Sequence, residues 1–184
     1  MDIKKTAGLF INFATRRLAE IFGIIISIAG ILLFISLLTY SPEDPNFIFP
    51  ENTEIKNILG FQGSFISDLF FQSIGLAAYL LSITFVITGI NIFRVKEFFL
   101  IIENLFYAII YTLITTLFLS HFYLDTFVFY INGNGGFVGN YLNKTFMNNI
   151  LQINETISYY MLIFLSFFSF LLSLNFHLIK FFKF

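Results

Sequence analysis

Residues 21–39 read IFGIIISIAGILLFISLLT and hold no charged side chain. At 1.5 Å rise per residue, a helix of about 20 residues crosses the roughly 30 Å of hydrocarbon in a bilayer. Three further runs have the same character: 70–93, 98–119 with one acid, Glu103, near its start, and 157–179. In lipid every backbone N–H and C=O needs a partner, and an unbroken apolar run finds them within one helix. The alternating ten-residue strands of a membrane barrel do not fit these runs. The expected fold is therefore all-α, a single membrane domain over residues 1–184 with four transmembrane helices. A cleavable signal peptide does not fit the first run, which exceeds the usual apolar core of such peptides and is followed by no Ala-x-Ala-like site.

Composition agrees. Of the 184 residues 58% are hydrophobic and 11% charged, against about 25% charged in soluble domains. Mean hydropathy is +0.86, too high for one buried core to absorb. The absence of Cys removes disulfides, thiol chemistry and Cys-type zinc sites, and two His cannot easily build a transition-metal centre. A net charge of −1 excludes a strongly basic nucleic-acid surface on the chain as a whole. Ile, Phe and Asn are so abundant that single occurrences of them carry little weight.

The basic residues set an orientation, because Lys and Arg in short loops stay on the cytoplasmic side. Lys4, Lys5, Arg16 and Arg17 precede the first span, Arg94 and Lys96 separate the second and third, and Lys180 and Lys183 follow the fourth. Only Lys56 and Lys144 fall on the other side, where Glu43, Asp44, Glu51, Glu54, Asp68, Asp125 and Glu155 collect. The expectation is N-in, C-in, with two outer loops.

Loop one opens with Ser41-Pro42-Glu43-Asp44-Pro45, whose prolines fix a turn or a helix stop. Ile58, Leu59, Phe61, Phe65 and Ile66, interleaved with small and polar residues, suit a surface-lying extension of the second helix that brings Asp68 near its outer end. Loop two carries Asn132-Gly133-Asn134-Gly135-Gly136, a turn. Beyond it Val138, Tyr141, Leu142, Phe146 and Ile150 recur at helical spacing and predict an interfacial amphipathic helix. Small-residue stripes predict packing faces: Gly23, Ser27 and Gly30; Gly75, Ala78, Ser82 and Gly89; Thr112, Thr115 and Thr116; Ser166, Ser169 and Ser173.

Chemistry is hard to find. Glu103 lies about one turn inside the third span, where a carboxylate is costly and invites an ion-site or proton-relay role, but Arg94 and Lys96 are near enough to pair with it. His121 and Asp125 have the i, i+4 spacing of two metal ligands with no evident third. No Gly-Lys-Ser or Gly-Lys-Thr follows the glycines of loop two, so it is not a nucleotide loop. Asn143-Lys144-Thr145 and Asn154-Glu155-Thr156 match the glycosylation pattern, as expected by chance in an Asn-rich chain. No catalytic constellation, cofactor site or metal site is assigned.

Taken in order, Arg16-Arg17-Leu18-Ala19-Glu20, Ser41-Pro42-Glu43-Asp44-Pro45, Asn57-Ile58-Leu59-Gly60-Phe61-Gln62-Gly63-Ser64 with Ser67-Asp68-Leu69, and Gly75-Leu76-Ala77-Ala78-Tyr79-Leu80 resemble the N-terminal membrane domain of the FtsK/SpoIIIE DNA translocases. Gly135-Gly136-Phe137-Val138-Gly139 resembles the family's G-G-x-x-G element. Ser64 and Ser67 stand where the family usually has alanine, and Trp is lacking. The resemblance covers nearly the whole chain.

It implies a bacterial inner-membrane anchor at the division septum that helps a DNA motor to localise and to assemble, as a homo-oligomer and by family analogy a hexamer, beside other septal membrane proteins. The family's ATP-driven motor and DNA-reading domains do not fit within these residues, so the chain reads as the anchor alone, with no enzyme activity and no direct nucleic-acid contact; its partners are protein and the lipid bilayer. Arg16, Arg17, Ser41, Pro42, Asp44, Pro45, Gly60, Gly63, Asp68, Gly75, Gly135, Gly136 and Gly139 are the motif residues and candidate contact positions. A second expectation is a small ion or solute carrier in which Glu103, with Asn91, Asn104 or His177, lines a polar path.

Overall fold

A computed structural model describes residues 3–45, 54–124 and 131–175. Glu51, Asp125, His177, Lys180 and Lys183 lie outside them, as do the side chains of Lys4 and Lys5 and the end of the expected fourth span. The described residues are helical: α1 Ile3–Leu38, α2 Gly60–Ile74, α3 Ala77–Val95, α4 Phe99–Phe122, α5 Gly136–Asn143, α6 Phe146–Ile153 and α7 Glu155–Ser173. Four of them, α1, α3, α4 and α7, are long and apolar enough to cross a membrane.

Three boundaries differ from expectation. The first helix begins at Ile3, far ahead of residue 21, because nothing in residues 3–20 breaks a helix, neither proline nor a run of turn residues. The second span is not one helix over 70–93. It is broken at Gly75, which has φ 57° and ψ −142°, so Phe70 to Ile74 belong to α2 and the span is Ala77–Val95. The amphipathic stretch of loop two is two short helices. The first ends at Asn143 with Lys144 as its cap, and Thr145 caps the second, its hydroxyl accepting from the Met147 N–H at 3.3 Å.

The spans pack as a row rather than as a square bundle. α1 lies antiparallel on α3, α3 on α4, and α4 antiparallel on α7. The α1–α3 seam is the one the small residues predict: the Ser27 hydroxyl donates to the Val86 carbonyl at 3.1 Å. A Cβ on Gly89 would lie 2.4 Å from the Gly23 carbonyl, and one on Gly30 would lie 2.7 Å from the Val86 nitrogen. Between α4 and α7, Thr115 and Ser166 share a 2.5 Å hydroxyl contact, while Thr84 joins Tyr111 at 2.8 Å and Ser173 at 3.3 Å.

The interior holds many polar side chains beside two small apolar clusters, one around Leu33, Leu37, Phe71 and Ala78 and one around Leu117, Leu151 and Leu162. Ser36, Ser67, Ser82, Thr84, Asn104, Thr116, Ser120 and Ser173 are buried, while Ile24, Ile25, Ile28, Phe106, Phe164 and Phe167 point outward. The short helix α2 shows this most clearly. Ser64, Ser67 and Asp68 face inward, and Phe61, Ile66 and Leu69 face out. Such a helix is stable where its surroundings are apolar.

Candidate functional site: two loops clasped at one end

The motif residues of loop one close around a single turn. Ser41 to Asp44 form it, with the Asp44 N–H donating to the Ser41 carbonyl at 3.2 Å and Pro42 supplying the φ that starts it. The Asp44 carboxylate, 1% exposed, accepts from the backbone N–H of Lys56 at 2.8 Å and of Asn57 at 2.9 Å. The Pro45 carbonyl takes the Ser64 hydroxyl at 3.0 Å. Bonds from Asp44 and Pro45 thus join the start of loop one to Lys56, Asn57 and Ser64.

Asn57 is the hub. Its amide nitrogen donates to the Ser36 carbonyl at 2.9 Å and to that of Thr39 at 3.3 Å, capping the end of α1, and its amide oxygen accepts from the Leu59 N–H at 3.1 Å. Gly63 has to be small, since a Cβ there would sit 2.2 Å from the Asn57 amide oxygen. Its carbonyl in turn receives the Ser36 hydroxyl at 2.5 Å. Gly60, at φ 68°, starts α2 with its N–H on the Asn57 carbonyl. Outside the clasp, Lys56 pairs with Glu43. That pairing holds the Glu43 carboxyl below its ordinary range and the Lys56 ammonium above its own.

A second set of contacts ties loop two to the break in the second span. The Leu76 N–H donates to the Asn134 carbonyl at 2.9 Å, and Asn134 is fully buried, its amide nitrogen donating to the Tyr123 carbonyl. Gly135 and Gly139 lie on α4, where Cβ atoms would come 2.1 Å from the Ser120 hydroxyl and 2.3 Å from the Thr116 carbonyl. Gly136, at φ 65°, abuts Gly75. A polar chain joins the two loops. Asp68 accepts from the Tyr40 hydroxyl at 3.1 Å and the Gln72 amide at 3.5 Å; Asn132 donates to Gln72 at 3.0 Å; Asn140 donates to the Asn132 carbonyl at 2.6 Å.

The structure therefore brings Ser41, Pro42, Asp44, Pro45, Gly60, Gly63 and Asp68 together, and Gly75, Gly135, Gly136 and Gly139 beside them. Arg16 and Arg17 are at the other end of α1. Arg16 is exposed. Arg17 bonds Glu20 at 2.6 Å, and the second carboxylate oxygen of Glu20 reaches the Lys96 ammonium at 2.6 Å, fastening α1 to the α3–α4 turn. Lys96 occupies that turn at φ 64°.

The remaining candidates are accounted for singly. His121 Nδ1 meets the Asn143 amide oxygen at 3.0 Å. Among the described residues no three acidic or imidazole groups gather to hold a metal. Asn154, like Thr145, is a helix cap, accepting from the Ile157 N–H at 3.1 Å. Glu103 is exposed on α4 and has no ion-pair partner among the described residues. Sequence reasoning missed Tyr40, Asn57 as hub, Gln72, Asn132, Asn134 and the Glu20–Lys96 pair. In an Asn-rich chain no local signal sets the working asparagines apart.

Comparison with known proteins matches residues 15–183 to the 4TM region of DNA translocase FtsK/SpoIIIE. The chain belongs to this family. Among its relatives is the DNA translocase FtsK of Azospirillum brasilense, 34% identical over 73 residues, which are 39% of this chain and 12% of the relative. The protein of the same name from Rhizobium meliloti is 26% identical over 105 residues, 57% of this chain and 12% of the relative. That of Rickettsia bellii is 30% identical over 78 residues, 42% and 10% respectively. The matched stretch is thus about a tenth of each relative's length. No solved structure matches. These 184 residues are the family's four-helix membrane region, a multi-pass membrane segment without the FtsK motor.

Proposed function

We propose that the chain is the membrane anchor of a septal DNA translocase, a module that localises the translocase in the bacterial inner membrane and helps it assemble with copies of itself and with other septal membrane proteins during cell division and chromosome segregation. The observation that carries this is the family match over residues 15–183, which takes in all four apolar helices and both loops of the clasp. The basic end, with Arg16, Arg17, Arg94 and Lys96, faces the cytoplasm by the positive-inside rule, and the clasp faces outward. Oligomer number, hexameric by family analogy, belongs to this proposal, as does the lack of any direct contact with nucleic acid.

The carrier reading finds little support in the geometry. Glu103 points away from the packed interior, Asn91 donates to the Leu174 carbonyl at 3.2 Å, and Asn104 donates to the Thr88 hydroxyl at 2.9 Å. A cavity of about 260 Å³ beside Asn104 is lined by neither Glu103 nor Asn91. A fluorescent fusion in dividing cells tests the proposal. Midcell enrichment is the expected result, and uniform membrane fluorescence overturns it. Solute flux in proteoliposomes that disappears on Glu103→Gln would establish the carrier instead.

A further inference from the structure

We infer that the first turns of α1 form a basic amphipathic arm that docks on an anionic lipid surface at the basic end of the fold. The Glu20–Lys96 pair sets the level of the α3–α4 turn, and α1 runs on past it in the N-terminal direction. From Gly8 to Glu20 this is twelve rises, about 18 Å of helix. Ala19 is the last buried residue; from Leu9 to Leu18 every residue but Ala14 is exposed. Phe10 is 72% exposed and Phe13 59%. A helix that leaves the bilayer along its own axis would hold these rings in water.

The exposed residues are sorted by side. At about 100° per residue, Leu9, Phe13, Phe10, Ala14, Leu18 and Ile11 sweep one arc, and Thr15, Gly8, Asn12 and Arg16 fill the other. Arg17 falls within the apolar arc, but its guanidinium lies over the Phe13 ring, 5.2 Å from the centroid, and reaches on to Glu20. The apolar arc spans about 200°, wider than the narrow seam of a coiled coil and suited to immersion in a headgroup layer. From Gly8 to Glu20 there are two arginines and one acid, Glu20, which is taken up by Arg17 and Lys96, so that Arg16 is the charge left to a partner. Two copies laid side by side would bring the Arg16 charges together, whereas an anionic leaflet attracts them. Docking requires α1 to bend where it leaves the α3–α4 turn, beyond Ala19, the last buried residue on that side.

The lack of Trp makes the test direct. Phe10→Trp, Asn12→Trp and Ile28→Trp are each placed in the full chain and reconstituted into vesicles of phosphatidylcholine with or without phosphatidylglycerol. Ile28→Trp reports insertion and is quenched by acyl-brominated lipid in both. The expected result is blue-shifted, bromolipid-quenched emission from Phe10→Trp with phosphatidylglycerol and much weaker quenching without it, Asn12→Trp being quenched less. Arg16→Gln in the Phe10→Trp background lowers the surface-bound ratio about fivefold. A water-like Phe10→Trp spectrum beside a quenched Ile28→Trp overturns the inference. So does a blue shift that follows protein density and ignores lipid charge, which would assign the arm to a second copy. Neither outcome bears on septal localisation.

Discussion

Gly75 lies against the carbonyl oxygen of Asn134: a Cβ on Gly75 would come 1.9 Å from that oxygen, which also takes the Leu76 N–H at 2.9 Å. One backbone contact thus breaks the second span and docks loop two into the break. At φ 57° and ψ −142° an L side chain is strained before any clash is counted. Gly75→Ala is expected to cost about 2 to 4 kcal/mol, from left-handed strain plus overpacking. The measurement is thermal unfolding in detergent, with Gly8→Ala, which would meet nothing within 4 Å and replaces a helical glycine, as the control that does not destabilise.

Asp44 holds the far side of loop one through two backbone bonds to Lys56 and Asn57. Asp44→Ala leaves the buried Asn57 N–H and the half-buried Lys56 N–H without their acceptor, a loss of about 1 to 3 kcal/mol, while Asp44→Asn keeps one acceptor and loses about half of that. Amide hydrogen exchange reads this locally. Protection at Lys56 and Asn57 should fall while that of α4 and α7 stays unchanged; equal loss everywhere would mean that the clasp does not open on its own.

The Glu43–Lys56 pair gives loop one a pH dependence with a definite sign. Glu43 titrates below its ordinary 4.5 because Lys56 bonds it, and Lys56 titrates above its ordinary 10.5 because Glu43 bonds it. The pair's contribution is therefore whole between those two values. It fades as pH falls below 4.5 through the lowered Glu43 value, and again as pH rises above 10.5 through the raised Lys56 value. Both groups are exposed, so the effect is small and weakens with salt. Lys56→Met should abolish the acid limb of loop-one exchange that Glu43 contributes.

The α1–α3 seam should be visible by crosslinking, because the chain has no cysteine of its own. Ser27→Cys with Val86→Cys is expected to form a disulfide in native membranes on mild oxidation, and Ile28→Cys with Val86→Cys is not. Gly89→Val would push a branched side chain into the Gly23 carbonyl and should reduce the crosslink while costing about 1 to 3 kcal/mol or more. Unchanged crosslinking in Gly89→Val would show that Gly89 is not packed on Gly23, and no crosslink in the parent pair would show that the seam lies elsewhere.

The spans and the small-residue seams were legible because they rest on length, charge and period, which are properties of the chain itself. Residues 70–76 were not. The run FFQSIGL has no proline, and a single glycine in an apolar stretch reads as a packing residue, although here it takes a positive φ to admit Asn134. The hub role of Asn57 was hidden for another reason. Its partners Ser36 and Thr39 are some twenty residues away, and nothing local distinguishes it from an exposed asparagine. Arg17 and Glu20 are close in sequence, but Lys96 meets them only because α3 returns antiparallel to α1.

The inside-out packing of α2 bears on how such a chain is made. With Ser64, Ser67 and Asp68 turned inward beside the buried Phe71, and Phe61, Ile66 and Leu69 turned outward, the helix has no face that water favours until Ser36, Asn57 and Tyr40 are there to receive its polar groups. A ribosome releasing this segment into solution would present a sticky surface with its bonding groups unmet. Lipid is the surrounding that suits such a helix, and the outer end of α1, through Ser36 and Tyr40, is the surface on which α2 closes.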